Sequence, residues 1–100
     1  MARTLPPFDH QLTPKVSDLT DLGRLVRNRR AKAKLRIDDA AALCGVSSDV
    51  LSRLENGKAV TADKLLLVLG GLGLRMLVVP TEDVATILAA AKPDEAVDVE

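Results

Sequence analysis

Catalysis by a thiolate or an imidazole would have to use Cys44 or His10, because the sequence contains one residue of each type. Cys44 lies in an alanine- and leucine-rich stretch, which is typical of a buried core thiol rather than a reactive one with basic neighbours. His10 has no cluster of cysteine, histidine or carboxylate groups around it, as a metal site would need. The sequence therefore predicts no enzyme, no metal site and no cofactor, and one cysteine excludes an intrachain disulfide.

A glycine-containing turn between two short helical segments is the feature best suited to binding. Asp38 and Asp39 favour the start of a helix that Gly45 ends, and Ser47 is a good cap for a further helix over 48–55. This is the helix-turn-helix arrangement, whose second helix is free to lie in the major groove of DNA. Such turns also occur in any small helical bundle, so the turn alone does not specify DNA binding.

The residues that follow the turn carry a more specific pattern. Gly-Val-Ser at 45–47 and Ser-Arg-Leu-Glu-Asn-Gly-Lys at 52–58 resemble the XRE (Cro/CI-type) helix-turn-helix family of phage-repressor-like proteins, over about residues 18–73. The resemblance implies an all-α domain of four to five helices. It also implies a transcriptional repressor that binds double-stranded DNA at a palindromic operator as a homodimer.

The resemblance also implies roles for individual residues. The positions that match base-contacting ones are Ser47, Ser48, Asp49, Ser52 and Arg53. The loop after the recognition helix would contact phosphate through Asn56, Gly57 and Lys58, and Arg30 and Glu55 match an internal salt bridge. Arg53 could contact a guanine or a phosphate, and Asp49 could accept from a cytosine amino group or only stabilise the helix N-terminus.

Two positions depart from the family pattern. Ile37 stands where the family commonly has a glutamine that contacts DNA, so that contact is missing or is replaced, for which Arg36 is the candidate. Lys34 stands where the family commonly has a glycine near the end of the first helix. A lysine there must either take a strained backbone conformation or let the helix run on.

Helical spacing of apolar residues places further helices around the turn. Ser17 is the expected cap of a first helix at about 18–33, and Thr61 the expected cap of another at about 62–71. The first helix is rich in basic residues that either attract phosphate or form a solvated face: Arg24, Arg27, Arg29, Lys32 and Lys34. Residues 1–16 are expected to form a flexible, irregular arm, so the predicted DNA-binding domain covers 17–73.

The segment after the last of these helices alternates in a way that favours a β-strand. Leu74, Arg75, Met76, Leu77, Val78 and Val79 precede Pro80. A lone strand at 74–80 needs a neighbour, and the same strand of a second chain is the simplest one. This pattern resembles the HipB-type antitoxins, which implies autoregulation of an operon and binding to a HipA-type kinase toxin. A free-standing regulator without a toxin, and an interaction module that has lost DNA binding, remain alternatives.

The charge distribution separates the chain into two parts. The formal net charge is zero, but residues 1–80 hold thirteen Lys and Arg against eight Asp and Glu, whereas residues 81–100 hold one against six. Residues 81–100 are expected to form a short helix capped by Thr81 and an acidic tail, which would dock on a toxin, compete with DNA or only aid solubility.

A single aromatic residue, Phe8, argues against proteins that bind single-stranded nucleic acid by stacking its bases on aromatic side chains. No apolar run is long enough to cross a membrane, and a cytoplasmic location is expected.

Overall fold

The computed structural model describes residues 5–91, which contain five α-helices and one 3-10 turn. The helices are α1 (Leu19–Lys32), α2 (Ile37–Cys44), α3 (Ser48–Glu55), α4 (Ala62–Gly71) and α5 (Val84–Ala90), and the 3-10 turn is Thr81–Asp83. The predicted all-α domain is confirmed, and the third and fourth helices have the predicted bounds.

The first helix begins with a reciprocal cap, which lies one residue later than the sequence predicts. The cap is Asp18, whose Oδ1 accepts from the backbone N–H of Asp21 at 2.9 Å, whereas Ser17 donates its own N–H to Asp21 Oδ2 at 2.9 Å. A carboxylate satisfies the free N–H groups of the first turn and also interacts favourably with the positive end of the helix dipole. The assignment of Ser17 as the capping side chain was therefore wrong.

The core lies where α1 and α2 pack against α3 and where α4 packs against α2. Its four fully buried large side chains are Val26, Leu51, Leu54 and Val68. Gly23 allows α1 to approach α3 closely, because a Cβ atom at this position would lie 2.5 Å from the carbonyl oxygen of Leu54. The core therefore fixes α3 from one side and leaves its opposite side in solvent.

The turn after α1 has a strained backbone conformation at Lys34, which is one of the two alternatives that the sequence predicts. Lys34 has φ of 59°, and no other non-glycine residue of the described chain has a positive φ. Its N–H donates to the carbonyl of Ala31 at 3.0 Å, and the N–H of Leu35 donates to that of Arg30 at 3.2 Å, which closes the helix in a Schellman motif. The helix therefore ends at Lys32 and does not run on through Lys34.

The N-terminal arm has no helix or strand over residues 5–16, yet it is attached to α1. The side chain of the buried Asn28 makes two hydrogen bonds to the backbone of Asp9: its Oδ1 accepts from the N–H at 2.5 Å, and its Nδ2 donates to the carbonyl at 3.0 Å. The Lys32 ammonium lies 5.6 Å from the centre of the Phe8 ring. The sequence alone does not predict this attachment, because it depends on contacts between residues far apart in the chain.

Residues 74–80 form no β-strand, and no strand is present anywhere in residues 5–91. The backbone groups of residues 75–79 have no hydrogen-bond partner in this described part of the chain, and Val78 is 89% exposed. The predicted strand is thus not formed by one chain, because a strand needs a neighbour to pair with. Thr81 opens the 3-10 turn rather than capping α5, whose N-cap is Asp83. The predicted acidic tail at 92–100 lies outside the described residues.

Candidate nucleic-acid interface

The turn between α2 and α3 sets the angle at which α3 projects. Gly45 adopts φ of 77°, and the N–H of Val46 donates to the carbonyl of Ala41 at 3.0 Å. A Cβ atom at Gly45 would meet nothing within 4 Å, so the left-handed conformation, and not crowding, is what requires glycine there. Ala41 and Leu51 are buried in the angle between the two helices.

The five predicted base-contacting residues lie at the N-terminus of α3 and along its outer side. Ser47, Asp49 and Arg53 are exposed, and Ser48 and Ser52 are half-buried. Leu51 and Leu54, on the inner side of the same helix, are fully buried. The amphipathic pattern of α3 therefore gathers the predicted residues on one accessible surface, which we call the α3 outer face.

The hydroxyl groups of this face are partly engaged inside the protein. Ser47 Oγ accepts from the N–H of Val50 at 3.1 Å and so caps α3, as the sequence predicts. Ser48 Oγ donates to Asp38 Oδ1 at 2.9 Å. Ser48 thereby links the N-terminus of α3 to that of α2, which reduces its freedom to contact a base.

Arg53 has an internal hydrogen-bond partner that the sequence alone does not predict. Its Nη2 donates to the carbonyl oxygen of Ala59 at 3.0 Å, across the loop that follows α3. A guanidinium group has five N–H donors, so this contact leaves others available to an external acceptor. Arg53 can therefore hold the loop and contact DNA at the same time.

The loop at 56–58 is attached to the C-terminus of α3. Asn56 Nδ2 donates to the carbonyl of Ser52 at 2.8 Å, and the N–H of Lys58 donates to that of Arg53 at 2.9 Å. Gly57 lies beside Thr20 of α1, and the Lys58 side chain is exposed. The loop thus presents a cation next to the end of the α3 outer face, on a backbone with little freedom to move.

A buried ion pair connects α1 to the last residue of α3. Arg30 Nε and Nη2 each donate to a carboxylate oxygen of Glu55 at 2.7 Å, and Nη1 donates to the carbonyl of Leu35 at 3.0 Å. The side chains are 9% and 1% exposed. The predicted ion pair between Arg30 and Glu55 is therefore present. Its bidentate geometry fixes the relative orientation of the two groups as well as their distance.

Two arginines of α1 that were candidates for phosphate attraction also have internal contacts. Arg27 Nε lies 3.4 Å from Glu55 Oε1, and its Nη2 donates to Asn56 Oδ1 at 3.3 Å. Arg29 Nε donates to the carbonyl of Leu72 at 2.9 Å. The sequence predicts the positive charge of these two arginines but not their hydrogen-bond acceptors, because the acceptors lie more than 25 residues away along the chain.

The charges around the α3 outer face are mixed. Three exposed cations are Arg36, Arg53 and Lys58, and three exposed carboxylates are Asp38, Asp39 and Asp49. Ile37, which stands at a position where the family commonly contacts DNA, is half-buried and packs against the core. A polyanion would therefore meet attraction from Arg36, Arg53 and Lys58, and repulsion from the carboxylates in the first turns of α2 and α3.

The described residues give no support to a metal or thiol site. No group of three or more His, Cys, Asp or Glu in residues 5–91 could hold a metal ion. Burial raises the pKa of the Cys44 thiol, which disfavours the reactive thiolate. No helix in the same residues is long and apolar enough to cross a membrane.

A comparison with known protein families shows to which family this chain belongs. A family model described as a helix-turn-helix domain, of XRE/Cro-like type, matches residues 21–76, which is more than half of the chain. The chain belongs to this helix-turn-helix family. The matched range runs from the first turn of α1 through α4 and includes the whole α3 outer face. Helix-turn-helix domains of this kind are typical of DNA-binding regulators and are typically not enzymes. A comparison with curated proteins found no match.

Proposed function

We propose that this protein is a homodimeric transcriptional repressor that binds a palindromic operator through its α3 outer face. The observation that carries the proposal is the two-sided character of α3, with Leu51 and Leu54 buried and Ser47, Asp49 and Arg53 accessible on the outside. A helix anchored in this way can enter the major groove, where base pairs present distinct donor and acceptor patterns. Arg53 is the proposed base reader, because a guanidinium can donate two hydrogen bonds to guanine.

The remaining contacts in the proposal are to phosphate. Arg36, Asn56, Gly57 and Lys58 flank the α3 outer face and would fix the protein on the duplex without reading sequence. Two copies would present their α3 helices about 34–36 Å apart, one turn of B-DNA. The mixed charge around the face implies that only a few phosphates are neutralised by each protomer, so the salt dependence of binding is expected to be moderate.

Titration of labelled DNA from the protein's own promoter by fluorescence anisotropy tests this proposal. We expect Arg53→Ala to weaken operator binding by about 1–3 kcal/mol, or roughly 5- to 150-fold, and to leave binding to random DNA unchanged if Arg53 reads a base. If the variant bound operator DNA and random DNA more weakly by the same factor, Arg53 would contact phosphate rather than a base. Lys15→Ala, which removes an exposed cation from the arm, is the matched control and should change neither affinity. Absent binding, or binding independent of salt, would contradict the repressor proposal.

Dimerisation is proposed to occur through residues 74–79. Their backbone groups from 75 to 79 have no partner in the described chain, and Met76, Leu77 and Val78 are exposed apolar side chains. Antiparallel pairing with the same segment of a second copy would satisfy the backbone groups on the inner edge of each strand. A twofold axis perpendicular to this ribbon gathers Leu74, Met76 and Val78 of both copies on one face.

We further propose that the repressor is the antitoxin of a HipBA-type system, in which it binds a HipA-type kinase toxin and represses its own operon. What supports this is the alternation of residues 74–79 directly after the helix-turn-helix domain. The alternative is a free-standing regulator of the XRE family without a toxin. Co-expression with the product of a neighbouring kinase-like gene should yield a complex that survives size-exclusion chromatography. A neighbouring kinase that does not bind, or no such gene, would favour the free-standing regulator.

A protein-interaction module without DNA binding is a second candidate function. The exposed carboxylates of Asp38, Asp39 and Asp49 favour it, because they lie where an approaching phosphate backbone would be repelled. The DNA titration separates the two candidates, since an interaction module would show no preference for any promoter fragment at physiological salt.

A further inference from the structure

Helix α5 has an apolar face that is half-buried but packs against no part of the core within residues 5–91. Val84, Ile87 and Leu88 share this face at i, i+3 and i+4, and we call it the α5 apolar face. None of them belongs to the core or packs against it, and the main contacts of α5 are with the 3-10 turn before it. A seven-residue helix is too short to be stable by itself in water, so this half-buried face needs further packing partners.

A second apolar surface lies uncovered on α4. Leu66 is 54% exposed and Leu67 is 47% exposed, and Gly70 lies between them on the same side of the helix. A Cβ atom at Gly70 would meet nothing within 4 Å, so the surface between the two leucines is open. We call these three residues the α4 leucine face. Like the α5 apolar face, it extends over five consecutive helical residues, or about 6 Å along the axis.

Antiparallel pairing of residues 74–79 would bring these two faces together between protomers. When the twofold axis passes near the middle of the segment, at Met76 or Leu77, the end of one strand of an antiparallel ribbon lies beside the start of the other. Residues 79–80 of one chain therefore lie next to residues 73–74 of its partner. Helix α4 ends at Gly71, just before the strand, and α5 begins at Val84, just after it. The α5 of one copy thus emerges beside the C-terminal end of the partner's α4.

The size of the proposed interface points to the same arrangement. A stable and specific interface takes about 20–30 residues from each partner, and the strand supplies only six. The α4 leucine face and the α5 apolar face are apolar surfaces of the described chain that adjoin the strand directly on either side. Burying them in the same dimer extends the ribbon into a continuous interface.

We propose that the dimer is helix-swapped: the α5 apolar face of each protomer docks on the α4 leucine face of the other. This proposal rests on the proposed dimer, and it adds a partner-specific contact that the strand pairing does not require. Each protomer then contributes a strand, a receiving face and an inserted helix, so that both copies are needed to complete either site.

Disulfide trapping tests the swap in the full chain. We expect Leu67→Cys combined with Ile87→Cys to form a covalent dimer under mild oxidation, seen on a non-reducing gel. Docking within one chain would instead give a cross-linked monomer, and this result would overturn the proposal. Leu67→Cys with Thr86→Cys is the matched control, because Thr86 lies on the opposite side of α5 and should not cross-link efficiently. The native Cys44 is buried and contributes no background.

A third variant separates failure of the swap from failure of the dimer. Leu77→Cys lies within the proposed strand and should cross-link to its own copy near the twofold axis. A covalent dimer with Leu77→Cys but not with the Leu67 and Ile87 pair would overturn the swap and leave the dimer standing. No covalent dimer in either case would overturn both. As a second measurement, Leu67→Asp should raise the dimer dissociation constant tenfold or more, and an unchanged constant would count against the swap.

Discussion

Replacing Glu55 with leucine is expected to lower the free energy of unfolding by about 3–5 kcal/mol, because the Arg30 guanidinium then stays buried without its carboxylate. In the native domain this guanidinium makes two 2.7 Å bonds to Glu55, whose side chain is 1% exposed. A domain of this size has about 5–15 kcal/mol of stability, so the change removes a large part of it. Urea unfolding followed by circular dichroism at 222 nm measures the effect, since the chain has no tryptophan or tyrosine to report by fluorescence.

Two further variants identify the cause of that loss. Arg27→Met removes the other cation beside Glu55, but Arg27 is 45% exposed and 3.4 Å away, so we expect less than about 1 kcal/mol. Adding Arg30→Met to Glu55→Leu removes the unpaired charge and should restore part of the stability. A Glu55→Leu cost no larger than that of Arg27→Met would refute the argument that burial makes this pair important.

Introducing a proline into the segment 74–79 is expected to abolish dimerisation and to weaken operator binding at least 100-fold. Proline has no N–H to donate, and adjacent backbone N–H groups in a strand point to opposite edges. At least one of Leu77→Pro and Val78→Pro must therefore remove a hydrogen bond to the partner strand. Losing the dimer separates the two half-site contacts, whose linkage is typically worth 10²–10⁴ in affinity.

The design of this experiment keeps folding and assembly apart. Leu77 and Val78 are 74% and 89% exposed in the single chain, so the proline variants should unfold at nearly the same urea concentration as the parent in the monomeric range. Val78→Thr keeps the N–H and the β-branched shape, and it should remain a dimer. Sedimentation velocity reports the mass, and dimers formed by both proline variants would contradict pairing through this segment.

The same charges that identify the α3 outer face also limit it. Arg53 and Lys58 can attract a phosphate backbone, but Asp49 at the first turn of α3 and Asp38 at that of α2 oppose it. Asp38 is also the acceptor for Ser48, so this carboxylate links the N-termini of α2 and α3. We therefore expect recognition to depend on few phosphate contacts and on the fit of α3 in the groove.

Local chemistry in the sequence determined the helix-turn-helix unit. The conformation of Gly45, the cap at Ser47 and the periodicity of Leu51 and Leu54 depend on neighbours within four residues, so the bounds of α3 follow from the sequence. The sequence also predicted the strained backbone at Lys34, as the alternative to a helix that continues through this residue, because this conformation depends on nearby residues. The motif at 52–58 likewise indicated the family, because its residues are continuous in the sequence.

Only the tertiary structure decided which polar groups find partners inside the protein. Asn28 holds Asp9, Arg29 reaches the carbonyl of Leu72, and Arg53 reaches that of Ala59. Residue type shows that a side chain can donate, but the acceptor is set by where the arm, the end of α4 and the loop after α3 place their backbone carbonyls. Residues 74–79 mark the same limit: the sequence determines their alternation, whereas strand pairing needs a neighbour that one chain does not supply.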